Sequence, residues 1–182
     1  MLTGEKTVLR LMEQEDMQLY SELFNSEEIS KMVVGWGMPV SLSEQMNWFD
    51  KAKSDGRNRR FTVLDRHSGE KLGMASLSAI DWQCRKATLG IKLSDNCPKR
   101  QGYASDVLLT LIRFAFYEMN LNRLEASWIT YNSASKGLYT KCGFTPEGIR
   151  RKAVYRSGEY HDLEVSGLLR EDFDRMEKGG RA

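Results

Sequence analysis

The sequence predicts an α+β fold in a single domain over residues 1–182, with a mixed, mostly antiparallel twisted sheet of about seven strands and helices on both faces. Two observations predict this fold. Segments whose apolar residues alternate lie between segments whose apolar residues recur every three to four positions. In addition, three strand-like segments in the middle of the chain follow one another through short connections, which is typical of an antiparallel meander.

The first part of the chain predicts a strand, a helix and a loop. The strand covers residues 7–12 and the helix covers residues 15–25. The side chains that share the core face of this helix would be Met17, Tyr20 and Phe24. Two glycines and a proline indicate a loop over residues 32–39.

A second helix is predicted over residues 41–53. Ser41 can cap its first turn, and Glu44 completes a capping box three residues later. Its core face would consist of Leu42, Met46 and Phe49. The meander follows, with strands over residues 60–66, 71–80 and 85–93.

The clearest helix begins after residue 103, because its apolar positions follow the helical period without a miss. These positions are Val107, Leu108, Leu111, Ile112, Ala115, Phe116 and Met119. The remaining predicted elements are a strand over residues 124–129, a helix over residues 133–142 ended by Gly143, and a hairpin over residues 148–168 that turns at Ser157 and Gly158.

Composition narrows the class of protein. Lys and Arg number 27 against 25 for Asp and Glu, and this balance predicts neither a nucleic-acid nor a membrane-surface partner. The three cysteines lack a C-x-x-C pair, and no apolar run is long enough to span a membrane. We therefore expect a cytoplasmic protein that acts on small molecules, without a disulfide framework or a metal site.

The loop before the long helix has the composition of an anion site. It consists of Lys99, Arg100, Gln101, Gly102, Tyr103, Ala104 and Ser105. Glycine lets the backbone approach an anion closely, and the free N–H groups of the first helical turn point toward it. A diphosphate would fit there, with Lys99 and Arg100 supplying positive charge. A solvated turn that leads into a core helix explains the same residues.

A second motif favours the first interpretation. The order N-x-x-S-x-x-L-Y-x-x-x-G-F resembles the GNAT acetyltransferase superfamily at six positions, which are Asn132, Ser135, Leu138, Tyr139, Gly143 and Phe144. The preceding loop is similar to the pyrophosphate motif of that family at Gly102 and Ala104, although Lys99 stands where the family has Gln or Arg. The N-terminal half and the ending at residues 155–162 and 168–170 are most similar to two bacterial branches, which acetylate ribosomal-protein N-termini and spermidine.

The resemblance implies an acetyl-CoA-dependent N-acetyltransferase, in which an amine attacks the thioester directly. It implies that the strand segment of Ile91, Lys92 and Leu93 pairs with the pantetheine arm and supplies a backbone N–H to the thioester oxygen. Tyr139 would donate a hydrogen bond to the leaving thiolate, and it shares a helix face with Asn132 and Ser135. No step of this reaction requires a metal.

The general base is the part of the mechanism that the sequence leaves open. Many members of the superfamily carry a Glu on the fourth strand, but the matching position here is Thr88. Glu27 and Glu28, near the end of the first helix, are candidates for binding a cationic amine or relaying its proton, although a solvated helix end is the simpler explanation of both. Asp81 is a further candidate, with a loop carboxylate as the alternative.

The identity of the acceptor is also open. Trp36 and Trp82 could form walls of an amine pocket, or they could simply pack. A protein N-terminus, a polyamine such as spermidine, and an amino-sugar or antibiotic all remain candidate acceptors. Two further alternatives are a catalytically inactive acyl-CoA sensor, against which Tyr139 argues, and a homodimer formed through the C-terminal hairpin.

Overall fold

The computed structural model describes residues 1–35, 38–52 and 55–179. Its strands form one continuous sheet of eight strands in the order β1-β2-β3-β4-β5-β6-β8-β7. The strands are β1 (Leu2–Thr3), β2 (Thr7–Leu11), β3 (Arg59–Asp65), β4 (Lys71–Asp81), β5 (Lys86–Leu93), β6 (Arg123–Ile129), β7 (Thr145–Arg156) and β8 (Glu159–Leu169). All neighbours are antiparallel except β5 and β6, which are parallel. The predicted mixed, mostly antiparallel sheet is therefore confirmed, with the short β1 as an unpredicted eighth strand.

The described part of the chain contains six α-helices. They are α1 (Met17–Asn25), α2 (Glu27–Met32), α3 (Leu42–Ala52), α4 (Tyr103–Arg113), α5 (Ser133–Lys141) and α6 (Arg170–Gly179). The four predicted helices are present, whereas α2 and α6 were not predicted. Helix α4 continues through a wider π-type turn at Phe114–Glu118. Helix α2 buries no side chain, and α6 buries only Phe173, with Met176 partly buried beside it.

Two hydrophobic clusters cover opposite faces of the sheet. The larger one joins α4 to one face through residues such as Leu108, Leu111 and Leu89. The smaller one joins α1 and α3 to the other face around Met74. Because neighbouring strand residues point to opposite faces, Met74 and Ala75 of β4 belong to different clusters. The predicted placement of helices on both faces is confirmed.

The core face of α3 differs from the prediction at its first residue. The capping box is present, since the Glu44 N–H donates to Ser41 Oγ at 3.2 Å and the Ser41 N–H donates to Glu44 Oε2 at 2.7 Å. Leu42, however, is 47% exposed, whereas Gln45 and Phe49 are buried. Leu42 lies in the first turn, and the buried stripe of α3 begins only at Gln45. Lys53, the last residue of the predicted helix, lies outside the described residues.

Candidate active site

The site begins where β5 and β6 separate. The two strands pair over only three positions, which join Lys86, Ala87 and Thr88 to Arg123, Leu124 and Glu125. Beyond Thr88, β5 stays paired with β4 on its other side, and β6 stays paired with β8. Among the described residues, the facing edges of β5 and β6 therefore carry backbone groups without a strand partner. An extended ligand with amide groups can pair with such an edge.

A cavity of about 270 Å³ lies at this separation. Its walls come from β4, β5, β6, α5 and the segment that ends α2. Several walls carry hydroxyl groups, and these are supplied by Ser76, Ser78, Thr88, Ser127, Ser135 and Tyr139. Among the described residues that line the cavity, Lys92 alone has a charged side chain, and none is a carboxylate.

Tyr139 is held by packing on three sides. Its ring stacks on Trp128 with centroids 5.5 Å apart, and the edge-to-face contact with Phe144 has centroids 5.2 Å apart. Its hydroxyl points at the carbonyl oxygen of Leu89, 3.5 Å away, on the open edge of β5. Burial raises the pKa of Tyr139 above the usual value of 10, with Cys142 as a smaller cause. The phenol is therefore a protonated donor at neutral pH.

Asn132 uses both ends of its side-chain amide inside the protein. Its Oδ1 accepts from the Ser135 N–H at 2.9 Å and so caps α5. Its Nδ2 donates to the carbonyl oxygen of Met32 at 2.7 Å. Ser135, by contrast, is half-buried and lines the cavity.

Helix α2 and its following segment are held by side chains from distant parts of the chain. The Tyr131 hydroxyl donates to the carbonyl of Lys31. The Arg156 guanidinium donates to the carbonyls of Ser30 at 3.1 Å, Val33 at 3.4 Å and Gly35 at 2.6 Å. These donors satisfy carbonyls that a helix end leaves unpaired. Sequence reasoning missed this arrangement, because α2 gives no periodic signal.

The loop before α4 has the backbone geometry of an anion site. Arg100 has a φ of 61° and Gly102 a φ of 85°, and α4 starts directly afterwards at Tyr103. No side chain caps this helix start, so its first N–H groups remain available. Lys99 differs from the expectation, since its Nζ already lies 3.2 Å from the Asp95 carboxylate.

Tyr103 and the first turn of α4 also make contacts that hold the loop. The Tyr103 hydroxyl donates to Asp65 Oδ2 at 2.7 Å. Asp106 accepts from the backbone N–H groups of Glu5, Lys6 and Thr7. Ala104 and Ser105 lie between these two anchored residues, half-buried, in the first turn, whereas Gln101 is exposed.

The predicted acceptor residues do not line the cavity. Glu27 and Glu28 are exposed in the first turn of α2, not at the end of the first helix, because Ser26 ends α1 and caps α2. Glu27 pairs with Lys31 on the next turn. The hydrogen bonds that cap α2 therefore explain why these carboxylates face solvent.

Asp81 and Trp82 belong to the turn between β4 and β5. The Cys84 N–H donates to Asp81 Oδ1 at 2.8 Å, and this bond lowers the pKa of the carboxyl below its usual value. Trp82 is 53% exposed in the same turn. Trp36 lies outside the described residues. The other two tryptophans differ in burial, since Trp128 is buried and Trp48 is half-buried under the Arg60 guanidinium.

Lys92 is the site residue whose side chain the sequence did not single out. Its Nζ lies 3.7 Å from the ring centroid of Phe24 in α1. Burial lowers the pKa of Lys92 to about 8, and the nearby Arg156 adds a smaller contribution in the same direction. A half-buried ammonium group therefore faces a cavity that contains no carboxylate among the described lining residues.

The open edge, the cavity hydroxyls and the helix-start loop are the features that an acyl-CoA-dependent transferase site needs. The chain belongs to the acetyltransferase (GNAT) domain family, whose pattern matches residues 6–145. It is an acetyl-CoA-dependent N-acetyltransferase, as the resemblance in the sequence implied.

Individual relatives agree with this assignment over nearly the whole chain. The SPbeta prophage-derived uncharacterized N-acetyltransferase YokL of Bacillus subtilis is 27% identical over 94% of both chains. The putative ribosomal N-acetyltransferase YdaF of the same organism is also 27% identical, over 94% of this chain and 95% of its own. The fold is similar to that of spermidine N-acetyltransferase from Vibrio cholerae, solved with CoA and spermine, with a TM-score of 0.88, 23% identity and coverage of 93% and 99%.

Two absences hold for the part of the chain that the structure describes. No helix in this part of the chain is long and apolar enough to cross a membrane. Within the same residues, no three His, Cys, Asp or Glu side chains are grouped as they would be to hold a metal ion.

Proposed function

We propose that the protein acetylates the α-amino group of a peptide or protein N-terminus. The observation that carries this proposal is the charge of the cavity, where Lys92 is the one charged side chain among the described lining residues. The full-length similarity to the putative ribosomal N-acetyltransferase YdaF also supports it.

The charge of the cavity argues against a polyamine acceptor. A polyamine carries several positive charges, and a site for it needs carboxylates to compensate them. The described lining residues offer none, and Lys92 adds repulsion. Glu27 and Glu28, the carboxylates first considered for this task, are exposed on α2.

The cost of deprotonating the amine also favours an α-amino group as the acceptor. An alkyl amine of pKa about 10.4 costs roughly 4 kcal/mol to deprotonate at pH 7.4, whereas an α-amino group of pKa about 8 costs roughly 1 kcal/mol. A site without a carboxylate base suits the second amine much better. In our proposal the proton leaves through water held by the hydroxyls of Thr88, Ser78 and Ser127, which line the cavity.

The cofactor takes the open edge of β5. The pantetheine amides pair with the backbone of Ile91, Lys92 and Leu93, which aligns the thioester with the cavity. The pyrophosphate lies on the N–H groups from Gln101 to Ser105, where the left-handed backbone at Arg100 and Gly102 shapes a concave surface.

Tyr139 stabilises the leaving thiolate in this proposal. The amine nitrogen forms a bond to the carbonyl carbon, the C–S bond breaks, and the sulfur keeps the electron pair. Because burial raises the pKa of Tyr139 above 10, full transfer of its proton to a thiolate of pKa about 8.5 is uphill by more than about 2 kcal/mol. Tyr139 therefore acts as a hydrogen-bond donor, while Asn132 positions its helix.

The experiment that tests the acceptor measures CoA thiol release with a panel of amines. The panel contains peptides with free and blocked α-amino groups, spermidine, an amino-sugar and an aminoglycoside. We expect turnover with free N-terminal peptides, with the acetyl group on the α-nitrogen by mass spectrometry. A higher kcat/KM for spermidine than for every peptide would overturn the proposal, and the variant Tyr139→Phe separates enzymatic from spontaneous transfer.

The homodimer also remains a proposal. Strand β7 lies at one end of the sheet and nearly all its residues are exposed, which supports pairing with a second copy along this edge. Light scattering behind size exclusion gives the mass in solution. The mass of one chain at all concentrations up to 100 µM contradicts the dimer.

A further inference from the structure

The side chain of Lys92 lies on the acceptor side of the sheet. Along β5, Ala87 and Leu89 point into the cluster around α4, whereas Thr88, Gly90 and Lys92 share the other face. On that face, Lys92 is opposite Met74 of β4 and lies against Phe24 of α1. Helix α4, whose first turn we assign to the pyrophosphate, packs on the opposite face.

Lys92 has no counter-ion in the described part of the chain. The charged group that acts on it is the Arg156 guanidinium, which is also a cation. Arg156 directs four of its five N–H donors to the backbone carbonyls of Ser30, Val33, Gly35 and Tyr155. The face of Phe24 supplies a cation–π contact to Lys92, which does not replace an ion pair.

Two carboxylates on elements that border the cavity have other partners. Glu164 accepts from Trp128 Nε1 at 3.2 Å and pairs with Lys136 at 3.1 Å. Glu27 pairs with Lys31 on the surface of α2. The half-buried ammonium group of Lys92 has lost part of its hydration without gaining a counter-ion, so an anion that enters the cavity finds a preformed partner.

We infer that the acceptor carries a carboxylate close to its reacting amine and that Lys92 binds this carboxylate. This inference rests on the proposed acetylation of peptide α-amino groups and names which peptides the site prefers. Lys92 and Thr88, whose hydroxyl we assign to the path of the leaving proton, share one face of β5 and line the same cavity. An Asp or Glu side chain within the first two residues of a peptide lies close enough to the α-amino group to enter this cavity with it. Lys92 is thus a residue that determines specificity.

The test uses peptides that differ only at the second residue, which is Glu, Gln or Lys. For the unmodified protein we expect a KM for the Glu peptide about tenfold below that of the Gln peptide, and the highest KM for the Lys peptide. Lys92→Met removes the difference between Glu and Gln. Lys92→Glu reverses the order, so that the Lys peptide has the lowest KM. A reversal requires direct charge contact and is not produced by a loss of folding.

Two controls show whether a change in peptide preference is specific to Lys92 and whether it concerns the peptide or the cofactor. Lys178→Met removes the same charge from the exposed end of α6 and keeps the preference for the Glu peptide. The Kd of acetyl-CoA, measured by calorimetry, stays within twofold in Lys92→Met. If the acetyl-CoA affinity falls as much as the peptide affinity, Lys92 serves the cofactor and the inference is wrong.

The outcome for the inference differs from the outcome for the proposed function. Equal KM values for the three peptides, unchanged by both Lys92 variants, overturn the inference and leave α-amino acetylation intact. Absence of turnover with all peptides, together with turnover of a small amine, overturns both.

Discussion

The side-chain amide of Asn132 donates a hydrogen bond to the backbone carbonyl of Met32, which lies 100 residues earlier in the chain. The same side chain caps α5, the helix that carries Tyr139. One residue of the GNAT motif thus holds the end of α2 against the start of α5. Met32 and the two residues after it form one wall of the cavity.

Replacing Asn132 by alanine removes both hydrogen bonds. We expect the free energy of unfolding to fall by about 1–3 kcal/mol, since a lost cap and an unsatisfied carbonyl each cost about 1 kcal/mol or more. We also expect a higher acceptor KM, because the wall at Met32 loses its tether. Denaturant titration and steady-state kinetics measure the two effects. Replacing the exposed neighbour Ser133 by alanine should change neither quantity. If Asn132→Ala leaves both the free energy of unfolding and the acceptor KM unchanged, Asn132 has no positioning role.

Replacing Tyr139 by phenylalanine removes the hydroxyl while keeping the stacked ring. We expect kcat to fall at least tenfold, with a change of less than twofold in the Kd of acetyl-CoA, because the thiolate loses its donor. Rapid-quench kinetics and calorimetry measure these quantities. Tyr117→Phe is the matched control, since the hydroxyl of Tyr117 bonds to Asp174 on α6. Unchanged turnover in Tyr139→Phe would exclude it from the chemistry.

Replacing Gly102 by alanine places a Cβ on a residue with a φ of 85°. No steric clash results, because the nearest atom is Lys6 Cε at 3.9 Å, so the cost is the backbone conformation, about 1–2 kcal/mol. We expect the KM for acetyl-CoA to rise about tenfold with little change in kcat. Gly158→Ala has a similar φ of 89° in the β7–β8 hairpin and serves as the control. Equal cofactor affinity in the two variants would contradict the pyrophosphate assignment.

The ammonium of Lys92 makes stability depend on pH. Burial lowers its pKa to about 8 in the folded protein from 10.5 in the unfolded chain, so the unfolded chain holds more of this proton between these values. The free-energy cost of burying the charged ammonium group is complete below pH 8 and disappears as the pH rises toward 10.5. We expect Lys92→Met to be more stable than the unmodified protein at pH 7, by up to about 3 kcal/mol. Thermal unfolding at pH 7 and pH 10 should show this difference shrinking, and a constant difference would contradict the burial of the charge.

The elements that could be predicted from sequence have a strong local period. Helix α4 places its apolar residues on one face, and Leu108, Leu111 and Phe116 are fully buried. Helix α2 could not be predicted, because it has six residues and no buried side chain. It is stabilised by hydrogen bonds from Tyr131, Asn132 and Arg156, which lie at least 100 residues away in the chain.

The candidate site also contains parts that could be predicted from local sequence and parts that could not. The motif from Asn132 to Phe144 and the loop around Gly102 could be found from sequence, because their spacing is local. The environment of Lys92 could not be found, because it depends on Phe24 from α1 and on the lack of carboxylates among the described residues that line the cavity. Glu27 and Glu28 were placed in the acceptor region because helix α2, which Ser26 caps, was not predicted.

Three residue pairs join the five strands β1 to β5 to the other three strands of the sheet, β6, β8 and β7. In the proposed arrangement, the pantetheine arm pairs with the free edge of β5 and so lengthens the contact between these two groups of strands. While it is bound, the coenzyme therefore acts as an additional strand of the sheet, and it leaves after each turnover. Amides of β5 and β6 should exchange their hydrogens more slowly when the coenzyme is bound. The sheet of the enzyme is then more rigid when acetyl-CoA is abundant than when it is scarce.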